Sequence, residues 1–339
     1  MTLLSAQERI LTPLLNAARS ERMHSCYVFE GPQGVGKKEA ALLIAKAGAC
    51  EAEAIESRPC ESCPTCHHMG KGTHPDLIEV GPDEGKKTLV IGVKSARELV
   101  RQTRLHRYSA RRRTFIIDPA DALNDQAANA LLKTLEEPPD GTGFILVTHK
   151  ASTLLSTVLS RSQRVRFNLS TEAHLNTLLE EKGVLDTARI ARWADGRAGR
   201  AFELAEGEMA ELDAARDTLL NILAGNSADL FAFSESITKN NKKGRIGWQP
   251  TVERYLEVIE SLLRDAACLA MGPSKLLNAD IEPVVDAWSQ ALYPSGIERM
   301  NRELDRTRRR MSLNVNARLL MEPLLAKLAM ELGKARRAQ

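Results

Sequence analysis

The feature that most constrains the fold of this chain is a glycine-rich turn at residues 31–38, GPQGVGKK. It follows a short apolar run at residues 26–30, which has the composition of a buried strand, and it opens a stretch with a helical pattern. A glycine loop between a strand and a helix places backbone N–H groups around phosphate oxygens, and the helix N-terminus adds partial positive charge. The pattern therefore predicts an α/β domain built on a phosphate-binding loop, although a glycine turn without a ligand would look the same.

The residues of this loop predict a degenerate nucleotide site. Its phosphate-binding groups would be the backbone at Gly31, Gly34 and Gly36 and the ammonium of Lys37. The next position usually carries a Ser or Thr hydroxyl that holds Mg²⁺, whereas Lys38 has no hydroxyl. ATP binding is therefore doubtful from the sequence.

A second strand pattern, residues 115–118 (FIID), ends in a carboxylate, Asp118, that would complete the nucleotide site. The next residue is Pro119, where an ATPase carries the Glu that activates the attacking water. Because Lys38 and Pro119 alter two independent catalytic positions, we predict that this domain does not hydrolyse ATP. An unusual but working ATPase is the alternative.

Strand and helix patterns alternate in the first half of the chain, and helix patterns alone fill the second half. Strands that alternate with helices of this length predict a parallel sheet covered on both faces. The predicted strands are residues 26–30, 76–80, 114–118, 144–148 and 164–167. The predicted domains are an α/β domain at 1–168, a small helical domain at 169–207 and a larger helical domain at 208–339.

Four of the six cysteines form a cluster with the spacing C-x9-C-x2-C-x2-C. Four thiolates at such spacing suit tetrahedral Zn²⁺ in a reducing compartment, and they fill its coordination shell. The predicted ligands are Cys50, Cys60, Cys63 and Cys66, in an insertion at 50–66. The zinc would be structural, because it would stabilise a segment that is too small to bury a core of its own.

Charge is nearly balanced over the 339 residues, with 47 Lys and Arg against 44 Asp and Glu, a net charge of +3. Residues 94–113 are nevertheless strongly basic, and Arg97, Arg101 and Arg104 share one helical face. These three are candidate contacts to the phosphate backbone of DNA, although a solvated helix face is an equal alternative. No apolar run approaches the ~20 residues of a membrane span and no signal-peptide pattern is present, so we expect a cytoplasmic protein without a membrane partner.

Residues 131–139, LLKTLEEPP, resemble a segment of the bacterial clamp-loader subunits of the AAA+ family. The glycine loop, the four-cysteine insertion and the Asp118 strand precede it in the order that this family has. The similarity extends over nearly the whole chain, and further motifs lie at residues 144–148, 159–162 and 314–322. The resemblance implies an AAA+ domain with a zinc-binding insertion, a small helical lid domain and an all-α collar domain through which subunits assemble.

The resemblance also implies roles for two residues. Thr148 stands at the sensor position beside the nucleotide site. Arg161 stands at the position of an arginine finger that acts on ATP bound by the adjacent subunit, and Ser162 is a small departure from the family's Cys. A guanidinium delivered in trans would neutralise the charge that develops on the transferred phosphoryl group.

Within the family, Lys38 and Pro119 imply the non-hydrolysing stator subunit of the DNA polymerase III clamp loader rather than its motor. The implied partners are the gamma/tau and delta subunits, the sliding clamp and primer–template DNA. Two alternatives stay open. The first is a catalytically active, gamma/tau-like clamp-loader ATPase, and the second is a zinc-dependent nucleic-acid-binding module, which accounts for the cysteines but not for the glycine loop.

Overall fold

The alternating patterns of the first half form a five-stranded sheet in the computed structural model. The strands are β1 (Cys26–Glu30), β2 (Leu77–Val80), β3 (Arg113–Ile117), β4 (Thr142–Thr148) and β5 (Gln163–Arg166), in the spatial order β2-β3-β4-β1-β5. All four pairs of neighbouring strands are parallel. The parallel α/β architecture predicted from the sequence is confirmed, and each predicted strand end is within two residues of the observed one.

The structure describes residues 4–82, 90–225, 227–239, 248–272, 275–311 and 315–336. The chain divides into two compact units, Met1–Phe202 and Glu203–Gln339. The finer division at residues 168 and 207 stays a prediction.

Nine α-helices accompany the sheet in the described part of the first unit and its boundary. They are α1 (Glu8–Arg19), α2 (Lys37–Ala49), α3 (Pro64–Gly70), α4 (Val93–Thr103), α5 (Asp125–Glu136), α6 (Ser156–Leu159), α7 (Glu172–Glu181), α8 (Thr187–Ala194) and α9 (Ala198–Glu203). Short 3₁₀ turns occupy Ser5–Gln7, Ile55–Ser57, Ala120–Ala122 and Ala151–Thr153.

Helices cover both faces of the sheet, which explains why its central strands are apolar throughout. Tyr27 and Phe29 of β1 belong to the core that α1 and α2 complete. Cys26 and Val28, which alternate with them, belong to the core that α4 and α5 complete. Because the strands are parallel, the carboxyl ends of β1, β3 and β4 meet at one edge, where ligands bind in open α/β sheets.

A buried ion pair organises the opposite edge, where the strands begin. Asp76 precedes β2 and is fully buried, and its Oδ1 accepts hydrogen bonds from Nε and Nη2 of Arg113 at 2.9 and 2.6 Å. The same carboxylate accepts hydrogen bonds from the amides of Tyr108, Ser109 and Ala110. Burial raises the pKa of Asp76, but these amides and Arg113 outweigh it and hold the pKa below the ordinary value.

The described part of the second unit is helical, as the sequence predicts. It contains α10 (Met209–Ala224), α11 (Ser227–Lys239), α12 (Gln249–Met271), α13 (Glu282–Met311) and α14 (Ala317–Arg336), with a π turn at Leu204–Glu208 and a 3₁₀ turn at Ala279–Ile281. The buried carboxylate of Asp265 on α12 accepts hydrogen bonds from the amides of Leu277 and Asn278 at 2.9 and 2.7 Å. These bonds fix the chain that enters α13. None of the described helices has the length and apolar character needed to cross a membrane.

The family-like segment 314–322 contributes the first turns of α14, while Asn314 lies outside the described residues. The side-chain oxygen of Asn316 accepts a hydrogen bond from the amide of Arg318 at 2.9 Å, which opens the helix. Leu320 and Met321 are buried, so this segment packs inside the second unit.

The buried pair gives a stability prediction. Asp76→Asn will destabilise the chain by about 3–5 kcal/mol at pH 7, because Arg113 is left buried without its counter-charge. Since the folded pKa of Asp76 is depressed, its contribution is complete above the unfolded pKa of about 3.9 and is lost as pH falls below it. Denaturant titrations from pH 7 to pH 2.5 measure the free energy of unfolding of both chains. The difference in this free energy between Asp76→Asn and the natural chain should become smaller only below about pH 4.

The matched control is Asp140→Asn, because Asp140 is an exposed carboxylate in the same unit. It should change the free energy of unfolding by less than about 0.5 kcal/mol. Equal effects of the two substitutions would contradict the importance of the buried pair.

Candidate nucleotide site, metal site and arginine finger

The glycine loop lies between the end of β1 and the start of α2, at the carboxyl edge of the sheet. Gly31, Gly34 and Gly36 have φ values of 147°, 76° and 89°, a region that glycine enters without steric cost. The three glycines predicted as phosphate-binding residues are therefore the ones that shape the loop.

Two further predicted residues reach the same edge through the strand order. Thr148, the last residue of β4, pairs in register with Glu30, the residue before the loop. Asp118 follows the end of β3, which is the other neighbour of β4. The parallel sheet thus brings together the residues of the predicted nucleotide site from three separate parts of the sequence.

Lys37 directs its ammonium onto its own loop. Nζ donates to the carbonyl oxygen of Gly31 at 2.7 Å and to that of Pro32, and the residue is buried. Burial lowers the pKa of Lys37, and the carboxylates of Asp118 and Asp121 oppose this shift. The cation that would meet outer phosphates is thus satisfied by backbone carbonyls of the loop.

The two altered catalytic positions have no side chain that could serve Mg²⁺ or water. Lys38 forms an ion pair with Glu79 of β2, with 2.7 Å between Nζ and Oε2. Pro119 has no acid group, and burial raises the pKa of the preceding Asp118.

Asp121 is a further residue of this edge, three positions past Asp118, that the sequence analysis did not identify as a site residue. Its carboxylate accepts hydrogen bonds from the hydroxyl of Thr148 and from the amide of His149, the latter at 3.4 Å. Its Oδ2 also lies 3.0 Å from Nε2 of His149. The threonine at the sensor position is therefore engaged by an acid of its own chain.

Helix α9 closes over the glycine loop within the first unit. The amide of Gly199 donates to the carbonyl oxygen of Gly34 at 2.7 Å. A Cβ at Gly199 would lie only 3.0 Å from that oxygen, so a larger residue would require a shift of the loop or of the helix. The close approach therefore depends on glycine at position 199, whereas glycine at position 34 is favoured by its φ of 76°.

The four predicted metal ligands are brought together by the end of α2, the following loop and α3. The sulfur atoms of Cys50, Cys60, Cys63 and Cys66 all lie within 4.8 Å of one another. A tetrahedral Zn²⁺ with Zn–S bonds of about 2.3 Å holds its sulfurs about 3.8 Å apart, so this cluster fits a metal ion.

Backbone amides support the sulfur cluster. The amides of Cys63 and Cys66 donate to the sulfurs of Cys60 and Cys63, each at 3.3 Å. Hydrogen bonds from Ser62 lower the pKa of Cys60 to about 6, whereas burial raises the pKa of Cys66. N–H···S bonds of this kind stabilise thiolates, which are the metal-binding form of cysteine.

Arg161 lies at the amino edge of the sheet, opposite the glycine loop. It stands two residues before β5, and the hydroxyl of the next residue, Ser162, is 3.1 Å from the sulfur of Cys26, which begins β1. The glycine loop follows the other end of β1, which has five residues. At ~3.3 Å per residue, the loop is roughly 15 Å from the end of β1 that lies beside Ser162. Arg161 therefore faces away from the nucleotide site of its own chain.

The guanidinium of Arg161 is half-exposed and held by its surroundings. Nε donates to a carboxylate oxygen of Glu136, and Nη1 donates to the carbonyl oxygen of Thr157 at 2.9 Å. Glu136 is the last residue of α5 and belongs to the LLKTLEEPP segment. Sequence reasoning missed this contact, because no pattern in the sequence tells which acid meets Arg161.

The three candidate DNA contacts lie on α4 and at its C-terminal end. Arg101 forms an ion pair with Glu98, at 2.6 Å between Nη2 and Oε1, whereas Arg97 and Arg104 are exposed. Further along the basic stretch, Arg113 is buried against Asp76, so it is not available to a ligand. The structure thus separates surface arginines from structural ones.

Comparison with known proteins decides the family. A family model described as "DNA polymerase III, delta subunit" matches residues 6–171, and one described as "DNA polymerase III, delta subunit, C terminal" matches residues 210–329. The DNA polymerase III subunit delta' of Bacillus subtilis is 30% identical over 328 residues, which are 94% of this chain and 95% of that protein. The chain belongs to the delta-prime family of DNA polymerase III subunits.

The chain is also similar to a second delta' subunit and to other DNA polymerase III subunits. The delta' subunit of Escherichia coli is 27% identical over 93% of this chain and 92% of its own length. The tau subunit of Bacillus subtilis is 30% identical over 93% of this chain, but the match spans only 55% of tau. A gamma subunit-related protein of Thermotoga maritima, with a TM-score of 0.50 and 18% identity over 95% of this chain and 99% of that one, shares the fold. The predicted resemblance to a subunit of DNA polymerase III is thereby confirmed, and the subunit family is delta-prime.

The sulfur cluster predicts bound metal. The purified chain should hold about one metal ion by elemental analysis, and Cys63→Ser should reduce this to near zero after dialysis against a chelator, because one of four ligands is removed. Cys268→Ser is the control, since Cys268 lies on α12, outside the cluster, and should retain the metal. Equal metal content in the two variants would show that these sulfurs are not the ligands.

Proposed function

We propose that this delta-prime family member acts as the stator of a clamp loader and supplies Arg161 to ATP bound on a neighbouring subunit. The observation that carries the proposal is the position of Arg161 at the sheet edge opposite its own glycine loop, with its guanidinium half-exposed. An arginine there is too far from its own nucleotide site to act in cis, but it is accessible to a subunit packed against that edge. In this position it would stabilise the charge of the transferred phosphoryl group.

The nucleotide site of this chain would take no part in hydrolysis. Lys37 is bonded to carbonyls of the loop, Lys38 is paired with Glu79, and Pro119 cannot activate water. ATP binding at Gly31, Gly34, Gly36, Lys37, Asp118 and Thr148 would require these contacts to break. The chain would therefore act through its shape and through Arg161.

The four cysteines would hold Zn²⁺ in a structural role. Tetrahedral coordination by four thiolates leaves no open position for water or substrate. Zn²⁺ would fix the segment between α2 and α3, whose 3₁₀ turn Ile55–Ser57 has no buried residue. The ion would thus take the place of a core in this insertion.

The partners follow from membership in the delta-prime family. The gamma/tau and delta subunits would bind through the collar, residues 208–339, and through the AAA+ domain, residues 1–168, with the lid at 169–207 between them in sequence. The assembled complex would open the sliding clamp and place it on primer–template DNA. Arg97, Arg101 and Arg104 would contact the phosphate backbone of that DNA.

A gamma/tau-like ATPase is the competing function, and the similarity to tau keeps it testable. An ATPase assay of the isolated chain separates the two. We expect no turnover above that of Lys37→Ala, because both altered positions lack the required groups. Robust turnover that Lys37→Ala abolishes would favour the ATPase.

Arg161→Ala should leave assembly intact and lower ATP hydrolysis at the one neighbouring site by about 10³-fold or more. Single-turnover hydrolysis by the reconstituted complex, with DNA and the clamp present, measures this decrease. Arg161→Lys should restore little of the rate of ATP hydrolysis, because an ammonium group lacks the planar set of N–H donors by which a guanidinium binds a phosphoryl group.

Arg22→Ala serves as the matched control, because Arg22 is another exposed arginine of the first unit. The complex reconstituted with Arg22→Ala should hydrolyse ATP at the rate of the natural complex. Unchanged hydrolysis in Arg161→Ala, with assembly verified by gel filtration, would refute the role in trans.

The proposed DNA contacts predict a change in salt dependence. In the complex, Arg97→Ala with Arg104→Ala should reduce the slope of log K against log salt for duplex DNA by about 0.9 for each phosphate that is no longer neutralised. Arg101→Ala should have a smaller effect, because Glu98 already neutralises part of its charge. A slope that the double substitution leaves unchanged would assign these arginines to a solvated face.

A further inference from the structure

The loop between α4 and β3, residues 104–112, displays an aromatic side chain to solvent. Tyr108 is 76% exposed, more than Tyr293 at 67% or Phe231 at 53%. Leu105, on the same loop, is 52% exposed. Aromatic side chains usually bury most of their large surface, so a tyrosine displayed in this way calls for an explanation.

The loop is held rigid by the buried ion pair of Asp76 and Arg113. The Asp76 carboxylate accepts hydrogen bonds from the Tyr108, Ser109 and Ala110 amides at 2.9 to 3.1 Å. From the other side, Arg113 donates to the carbonyl oxygens of Gln102, Leu105 and His106 at 3.0, 2.7 and 2.7 Å. The backbone that presents Tyr108 is therefore ordered in advance, which lowers the entropic cost of binding a partner.

The ring of Tyr108 is also supported from one side. The ring of His74, which is buried, lies 6.5 Å from the Tyr108 ring between centroids, at an interplanar angle of 77°. His74 is itself held, since its Nδ1 accepts a hydrogen bond from the Asp76 amide at 3.0 Å. The contact orients the tyrosine and leaves most of its surface open.

The positive charge of the loop around Tyr108 indicates the chemical class of the partner. The loop RLHRYSARR contains four arginines and no acidic residue. Arg104 and Arg107 precede the tyrosine in the loop and are exposed. The guanidinium of Arg107 donates to the carbonyl oxygen of Arg111 and lies beside Gly141, so its position is fixed within the loop while its charge stays without an acidic partner among the described residues. Arg111 is exposed with its charge partly met by Glu21 at 3.0 Å. An open aromatic ring among cations is the arrangement by which proteins bind single-stranded nucleic acid, with bases stacked on rings and phosphates near arginines.

We propose that the loop at residues 104–112 binds single-stranded DNA, with an unpaired base stacked on Tyr108 and the flanking phosphates beside Arg104 and Arg107. The proposal shares its DNA partner with the proposed function, but it concerns unpaired bases and not the duplex backbone. The arginine finger has no part in it. Within the first unit, the stacking surface lies at the amino edge of the sheet, because the loop leads directly into the start of β3.

Fluorescence anisotropy of the full chain with a labelled oligothymidylate of about twenty nucleotides tests the proposal. Tyr108→Ala should weaken binding about ten-fold, which is the scale of losing one stacked base. The salt dependence should stay unchanged, because no charge is removed. Tyr108→Phe should bind like the natural chain, because stacking needs the ring and not the hydroxyl. Arg107→Ala should weaken binding and reduce the slope of log K against log salt by about 0.7.

Leu185→Ala is the matched control, because Leu185 is an 86% exposed apolar side chain of the same unit. It should bind the oligonucleotide like the natural chain. Equal affinity of Tyr108→Ala and the natural chain would overturn the proposal, as would a decrease in Tyr108→Phe as large as that in Tyr108→Ala. Duplex DNA separates the two functions: Arg97→Ala with Arg104→Ala should weaken its binding, whereas Tyr108→Ala should not.

Discussion

The parallel direction of five strands is the constraint on which the first unit depends. Parallel pairing collects all carboxyl ends at one edge and all amino ends at the other, so each edge has its own set of loops. The glycine loop, Asp118 and Thr148 lie at the first edge. Arg161 and the loop at residues 104–112 lie at the second. A short sheet thus gives one domain two chemically different ends.

The carboxyl edge keeps the shape of a nucleotide site while its polar groups are satisfied internally. Lys37 donates a hydrogen bond to a carbonyl oxygen of the loop, and the hydroxyl of Thr148 donates one to Asp121. The amide of Gly199 donates one to the carbonyl oxygen of Gly34. These contacts satisfy the polar groups of the edge within the chain, and together they stabilise a closed loop. The same edge that performs chemistry in an ATPase can therefore serve as a fixed structural element here.

The sequence predicted the elements well because their signals are local. Short strand patterns marked all five strands, and the spacing of four cysteines marked a cluster whose sulfurs do come together. The strand order is not a local property, and the sequence analysis did not predict it. Contacts between side chains from distant segments were beyond such reasoning. Glu136 with Arg161 and Asp76 with Arg113 are examples, since nothing in a charge pattern tells which acid meets which base.

The structure also shows which basic residues of the stretch at 94–113 are exposed to a ligand. Residues 94–113 read as one positive stretch, but Arg113 lies in the interior and Arg101 is paired within one helical turn. Burial and pairing are properties of the folded chain. Tyr108 lies within the same stretch, and only the structure could establish its exposure.

The pairing of Arg161 with Glu136 has a consequence for how the two halves of a composite site would meet. A half-exposed ion pair of this kind contributes under about 1 kcal/mol, so thermal motion can open it readily. Glu136 would then compete with any ligand for the guanidinium of Arg161. A ligand would displace Glu136 only if it attracts the guanidinium more strongly than this carboxylate does. A polyphosphate with several negative charges does so, whereas an isolated surface carboxylate does not. The ion pair would therefore open and re-form until a neighbour presents a nucleotide, and the transfer of the guanidinium from Glu136 would select for a highly charged ligand.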